Sequence, residues 1–437
     1  MEGRLRDAIP VEDFKRAVHR RDAGALRHVL ATEPSVRAAI NEPLFGFESP
    51  ALVSVAGDSD TALLDVLLEF GADPDRKSSW WAGGFHPLYG ASDPAAARLI
   101  AAGATIDACA AARLGRVDIL EQLVAEEPAR VQERGGDGQM PLHFARSRAV
   151  IDFLLAHGAD IDARDIDHRS TAAEWMIGDR TELARYLVDR GATADIFLAA
   201  ALGRTDLVTR MLERDRGLLA LRTGQGDYDE KKPSSYQIYV WTIGANLTPL
   251  QTAAKFGHPD TVEAMLRYAT PAQALLAACN RGLRDEALAI IKQNPGIVAS
   301  LGPHDRRALT DEAWAANAPA VRLMLELGFD PSVPSGVDGK GGNALHCAAW
   351  EGSVECVEAI LNTRAGRALV NSREGTFNGV PLGWCAHGSV HCTKPRADHP
   401  AVARLLISAG ARIEGDVATW DASAAVRAVL RDAERKA

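Results

Sequence analysis

Aromatic residues are scarce in this chain, 6% of 437 residues against 47% hydrophobic overall, so a core of large stacked rings is excluded and thin layers of Ala, Leu and Val are expected. Cysteine is sparse as well. The six cysteines, at positions 109, 279, 347, 356, 385 and 392, show no framework spacing, which points to reduced thiols in a reducing compartment. No run of about 18 apolar residues occurs and the opening MEGRLRDAIP has no apolar stretch, so neither a spanning helix nor a secretory leader is expected and the chain reads as soluble and cytoplasmic. Positive charge is not in excess: the net charge of −9 argues against nucleic acid or an anionic membrane as partner. The glycine-rich run 332–343 lacks both the GxxxxGK spacing and the flanking strand of a phosphate loop, so no nucleotide is expected there, and no cofactor is implied elsewhere.

What the chain does contain is a repeated unit, clearest in residues 140–163, MPLHFARSRAVIDFLLAHGADIDA. Pro141 starts a short helix at its first turn, where the missing N–H has no role, and Leu142 and Ala145 give it a narrow apolar face. Ile151, Leu154 and Leu155 recur at helical spacing, and Gly158 stops this second helix in the left-handed cap conformation. The same terminating glycine returns as Gly71-Ala72-Asp73, Gly103-Ala104-Thr105, Gly191-Ala192-Thr193, Gly328-Phe329-Asp330 and Gly410-Ala411-Arg412.

Pro-Leu-His, an apolar helix and Gly-Ala-Asp together resemble the ankyrin repeat, two antiparallel helices and a β-turn finger in about 33 residues. That resemblance implies an all-α ankyrin-repeat solenoid of about 12 helix-pair units, with fingers and inner helices as the contact surface. The stretches HGADIDARDIDHRST, DIFLAAALGRTDLV, VWTIGANLTPLQTAAKFGH and PLGWCAHGS look like those of a group of bacterial multi-repeat ankyrin proteins. A binding scaffold is implied, not a reaction, because a fold does not fix a function. The expected organisation is N-terminal repeats with a cap over 1–221, an inserted aromatic flap at 222–247, and C-terminal repeats with a capping helix over 248–437. In the flap, YQIYVWTIG alternates and is rich in aromatic and β-branched residues, which predicts an extended strand or hairpin, ordered over the concave face.

Three constellations could carry function. The first is aromatic: Trp80, Trp81, Tyr236, Tyr239, Trp241, Trp350 and Trp384 could converge on one concave groove that holds a protein segment, a peptide or a small ligand. A second set supplies acid/base groups for the alternative, an enzyme whose pocket is closed by the flap: His168, Glu174, Lys255 and His387, with Asp165 and Asp167 more simply serving the finger turn. His168 stands where glycine normally takes positive φ; a strain of about 1 kcal/mol or more there is a mild pointer to a site, the alternative being that histidine simply tolerates the left-handed region, as it does more readily than most residues. Third, His387, His391, Cys392 and His399, with Cys385 nearby, are metal-capable. Gly388 is expected to end their helix and the spacing lacks tight ligand pairs, so no metal is expected.

Overall fold

The computed structural model describes residues 2–228, 234–336, 339–392 and 394–435, with side chains from residue 10 onward. Helices dominate and no strand forms among the described residues; the only ladder fragments there are the isolated bridges Phe45 to Ser49 and Arg164 to Thr171. No described helix is long and apolar enough to cross a membrane. The chain divides into two compact units, one of Met1–Leu198 with Thr223–Gly244, the other of Ala199–Arg222 with Ala245–Ala437.

In the first unit the helices come in pairs: Pro87–Gly90 with Asp93–Ala101, Ala108–Arg113 with Val117–Glu126, Pro141–Phe144 with Arg148–Ala156, and Ala172–Met176 with Thr181–Asp189. Short polar side chains start them. Asp107 accepts from the Ala110 N–H at 2.9 Å, and Thr171 and Glu174 form a reciprocal capping box. Gly158 ends its helix at φ +90°, as the sequence predicts. Leu99, Leu120, Ile151, Leu154 and Leu187 pack between successive pairs and are fully buried.

The insert 222–247 belongs to both units by its ends, and residues 229–233 lie outside the described residues. Its expected strand is a correction. Tyr239–Thr242 is a helical turn, closed by Ile243 N–H to Tyr239 O at 2.9 Å, and it buries Tyr239 and Ile243, four apart, on one side. Tyr236 and Tyr239 pack on Phe197 at 5.3 and 5.5 Å, and the Tyr239 hydroxyl donates to Asp195 Oδ1 at 2.9 Å. Burying a ring of this size stabilises the unit by about 1.5–3 kcal/mol.

In the second unit the pairs continue with Pro249–Lys255 and Pro259–Leu266, Pro271–Asn280 and Arg284–Gln293, Ala308–Trp314 and Ala318–Glu326, Ala344–Trp350 and Val354–Leu361, then Pro381–His391 and His399–Ser408, with Ala424–Glu434 last. From Pro271–Asn280 onward their apolar faces share one core cluster that runs from Leu275 to Leu430. Gly388 does not stop its helix. A Cβ there would lie 2.3 Å from Trp350 O, so the glycine serves a close helix approach, and the helix runs on to His391.

Candidate functional site

A cavity of about 1090 Å³ opens in the first unit where three fingers meet the insert. The long finger after Asp73 brings Trp80, Trp81 and Phe85; the loop before Ser49 brings Phe47; the finger tip at Asp137, and Ile166, Asp167 and His168 of the next finger, complete one wall; Trp175, Tyr228 and Trp241 complete the other. The fingers interlock through glycine. A Cβ on Gly136 would meet Phe85 Cδ1 at 2.4 Å, and Gly138, at φ +69°, leaves room for Ile166, whose Cγ1 would lie 2.4 Å from an added Cβ. Ile166 and Asp167 N–H groups both donate to Asp137 O, at 2.9 and 3.2 Å.

The walls are rings placed edge to face: Phe47 on Trp80 at 5.2 Å, Phe47 on Phe85 at 5.7 Å, His168 on Trp175 at 5.1 Å and on Tyr228 at 5.8 Å. Phe47, Trp81, Tyr228 and Trp241 are exposed, the last two tryptophans at 67% and 72% of their surface. Four large apolar groups left in water around one cavity are what a binding surface shows and what a packed core avoids.

Polar groups converge on the same wall. Asp165 organises its finger, accepting from His168 N–H at 2.9 Å, from Ser170 N–H at 3.2 Å and from the Trp175 indole N–H. Asp137 is supported less: its Oδ1 is buried without a hydrogen-bond partner, as is His168 Nδ1, which lies 3.5 Å from Asp167 Oδ2. Ligand atoms of Asp137, Asp167 and His168 lie within 4.8 Å of one another. Burial first, then the neighbouring Asp167 and Asp165 charges, push the Asp137 carboxyl up to about 7, with the Trp80 indole pulling weakly the other way. The expected strain at His168 is a correction: the positive φ falls one residue later, at Arg169 (φ +55°).

The remaining expected residues lie elsewhere. Tyr236 and Tyr239 are in the core and line no part of this cavity. Glu174 is sealed into its capping box, receiving the Thr171 N–H at 2.9 Å, and burial together with Asp195 raises its pKa. Lys255 belongs to the second unit, where burial and Lys394 lower its pKa against the pull of Glu312.

A second aromatic cluster forms within the second unit. Trp314 and Trp350 stack at 6.3 Å, Trp384 meets both at 6.0 Å, and His387 lies 5.1 Å from Trp350. The sequence carries the signal: in ALTDEAW, ALHCAAW and PLGWCAH, Trp314, Trp350 and His387 fall at the same repeat position, so successive units stack them. The metal-capable residues His387, His391, Cys392 and His399 do not come together as one set of four. Cys385 donates to His399 O at 3.3 Å, His399 Nε2 lies 2.8 Å from Trp350 O, and Cys392 faces Glu351, while His387 and His391 meet Asp421, a residue the ligand spacing could not reveal.

Two stretches of the chain, residues 137–166 and 340–374, match the family model of the ankyrin repeat, and the first contains Asp137 and Ile166 of the cavity wall. The curated Ankyrin repeat and SAM domain-containing protein 6 of Mus musculus is 29% identical over 133 residues, 28% of this chain, which thereby spans 15% of the length of that relative. The crystal structure of the human ASB11 ankyrin repeat domain is similar at 18% identity over 55% of this chain and 97% of that one, with a TM-score of 0.32.

Proposed function

We propose that in this chain, an ankyrin-repeat protein whose repeats serve as a protein-binding scaffold, the contact site is the first unit's aromatic cavity, and that the cavity receives a basic side chain of a protein partner. One observation carries this reading: exposed aromatic faces and a buried carboxylate oxygen without a partner line the same space. Ring faces attract a cation, by about 0.5–2 kcal/mol as desolvation increases, and the carboxylate supplies the charge that an apolar ligand would leave unused. An acidic chain of net charge −9 favours encounter with such a partner.

The test compares acetyl-arginine amide with its neutral isostere acetyl-citrulline amide by calorimetry. A preference of about tenfold for arginine, abolished by Asp137→Asn, is the expected result. Equal binding of both would leave an apolar cavity without charge selection; binding of neither would remove the site. A catalytic reading of the cavity has in its favour that Asp137, held up to about 7, and His168 share a wall, as an acid/base pair requires. It predicts turnover of a bound ligand and not mere retention.

A further inference from the structure

Because the helix Pro381–His391 runs unbroken through Gly388, His387 and His391 sit one turn apart on the same face, their ring centroids 4.2 Å from each other. Asp421, in the turn before the helix Ala424–Glu434, places Oδ2 2.7 Å from His387 Nδ1 and 2.7 Å from His391 Nε2. A separate tether holds that turn: Ser423 N–H donates to Ser389 Oγ, on the same helix, at 2.8 Å. All three side chains are exposed, so an ion has an entry path from solvent.

We propose that His387, His391 and Asp421 form a binding site for a divalent transition-metal ion of the zinc, nickel or cobalt class. Two imidazoles and one carboxylate are ligands these ions favour, whereas magnesium and calcium take all-oxygen sets. Three protein ligands leave a fourth position open to water. Nitrogen and oxygen ligands about 2.0–2.1 Å from a tetrahedral ion lie about 3.3 Å apart, so each imidazole moves back by roughly half an ångström, a shift that exposed side chains accommodate. The bound ion joins the last repeat to the segment leading into the terminal helix. Cys392 and His399 are not ligands, being turned to Glu351 and to Trp350 O.

The 437-residue chain, stripped with a chelator, is titrated with Zn²⁺ by calorimetry and with Co²⁺ by visible absorption. The expected result is one saturable equivalent per chain, a cobalt d–d spectrum, a higher melting temperature with zinc, and no competition from Mg²⁺. Loss of an outer-shell partner alone costs about 10–100-fold in affinity, so His391→Ala and Asp421→Asn should each weaken binding by about tenfold or more, while Cys392→Ser leaves it unchanged. Both affected positions are exposed, and circular dichroism of each variant checks that it folds. Absence of a saturable equivalent, or affinity unaltered in both His391→Ala and Asp421→Asn, overturns the site.

Discussion

The two units treat their aromatic residues in opposite ways. In the first, Trp80, Trp81, Trp175 and Trp241 come from fingers, an inner helix and an insert, and they surround space. In the second, Trp314 and Trp350 occupy one repeated helix position and stack on each other, with Trp384 edge-on to both. The acids differ in the same sense: Asp137 has an unpartnered buried oxygen, while Asp421 is engaged by two histidines. A row generated by the repeat produces packing. Groups brought together from irregular segments, which no repeat spaces, produce a cavity with unmet polar and apolar demands.

The largest test of this contrast separates core from cavity within one insert. Tyr239→Ala should lower the unfolding free energy by about 3–5 kcal/mol in urea denaturation, whereas Trp241→Ala, two residues on and mostly exposed, should change it by less than about 1 kcal/mol. Equal costs would dissolve the distinction.

Next comes pH. The Asp137 carboxyl is held up to about 7 in the folded chain against an ordinary 3.8, so the folded state retains a proton that the unfolded state releases. Its stabilising contribution is therefore full below about pH 4 and is lost as pH rises to about 7, at up to about 1.4 kcal/mol per pH unit. Glu312 of the second unit, also pushed up to about 7 by burial, adds a slope of the same sign. Asp137→Asn should remove only the Asp137 share of the slope in denaturation curves taken from pH 5 to 8; asparagine tolerates the φ of +56° at this position. Affinity for the arginine probe should move the other way, rising through pH 7 as the carboxylate forms, and should stay flat in the variant.

Smaller effects sharpen the comparison. Trp241→Ala should weaken probe binding by about tenfold, read by calorimetry. Trp314→Ala should leave probe affinity unchanged and reduce stability by about 0.5–1.5 kcal/mol, the share of its ring contacts.

Much of the fold was legible because its signals are local. Pro141 and Gly158 mark helix ends through their own backbone preferences, and Ile151 and Leu154 declare a buried face by spacing alone. Features that failed depend on distant chain. Gly388 reads as a stop until Trp350 O is known to lie against it, and YQIYVWTIG reads as a strand until Phe197 and Asp195 are known to receive its tyrosines. The finger's positive φ lies at Arg169 and not at His168, since it can shift by one residue without altering composition. Trp80, Trp81 and Trp241 do face one cavity, but nothing near Asp137 in the sequence distinguishes it from any finger-tip aspartate; only the surrounding fingers and insert bury it. Trp314, conversely, could have been found by aligning the repeats.

The contrast can be read in one spectrum. With all eight tryptophans replaced by 5-fluorotryptophan, addition of acetyl-arginine amide should shift the ¹⁹F resonances of Trp80, Trp81, Trp175 and Trp241 and leave those of Trp314, Trp350, Trp384 and Trp420 in place. Shifts confined to the second set, or spread evenly over both, would contradict the assignment of the first unit's cavity as the contact site.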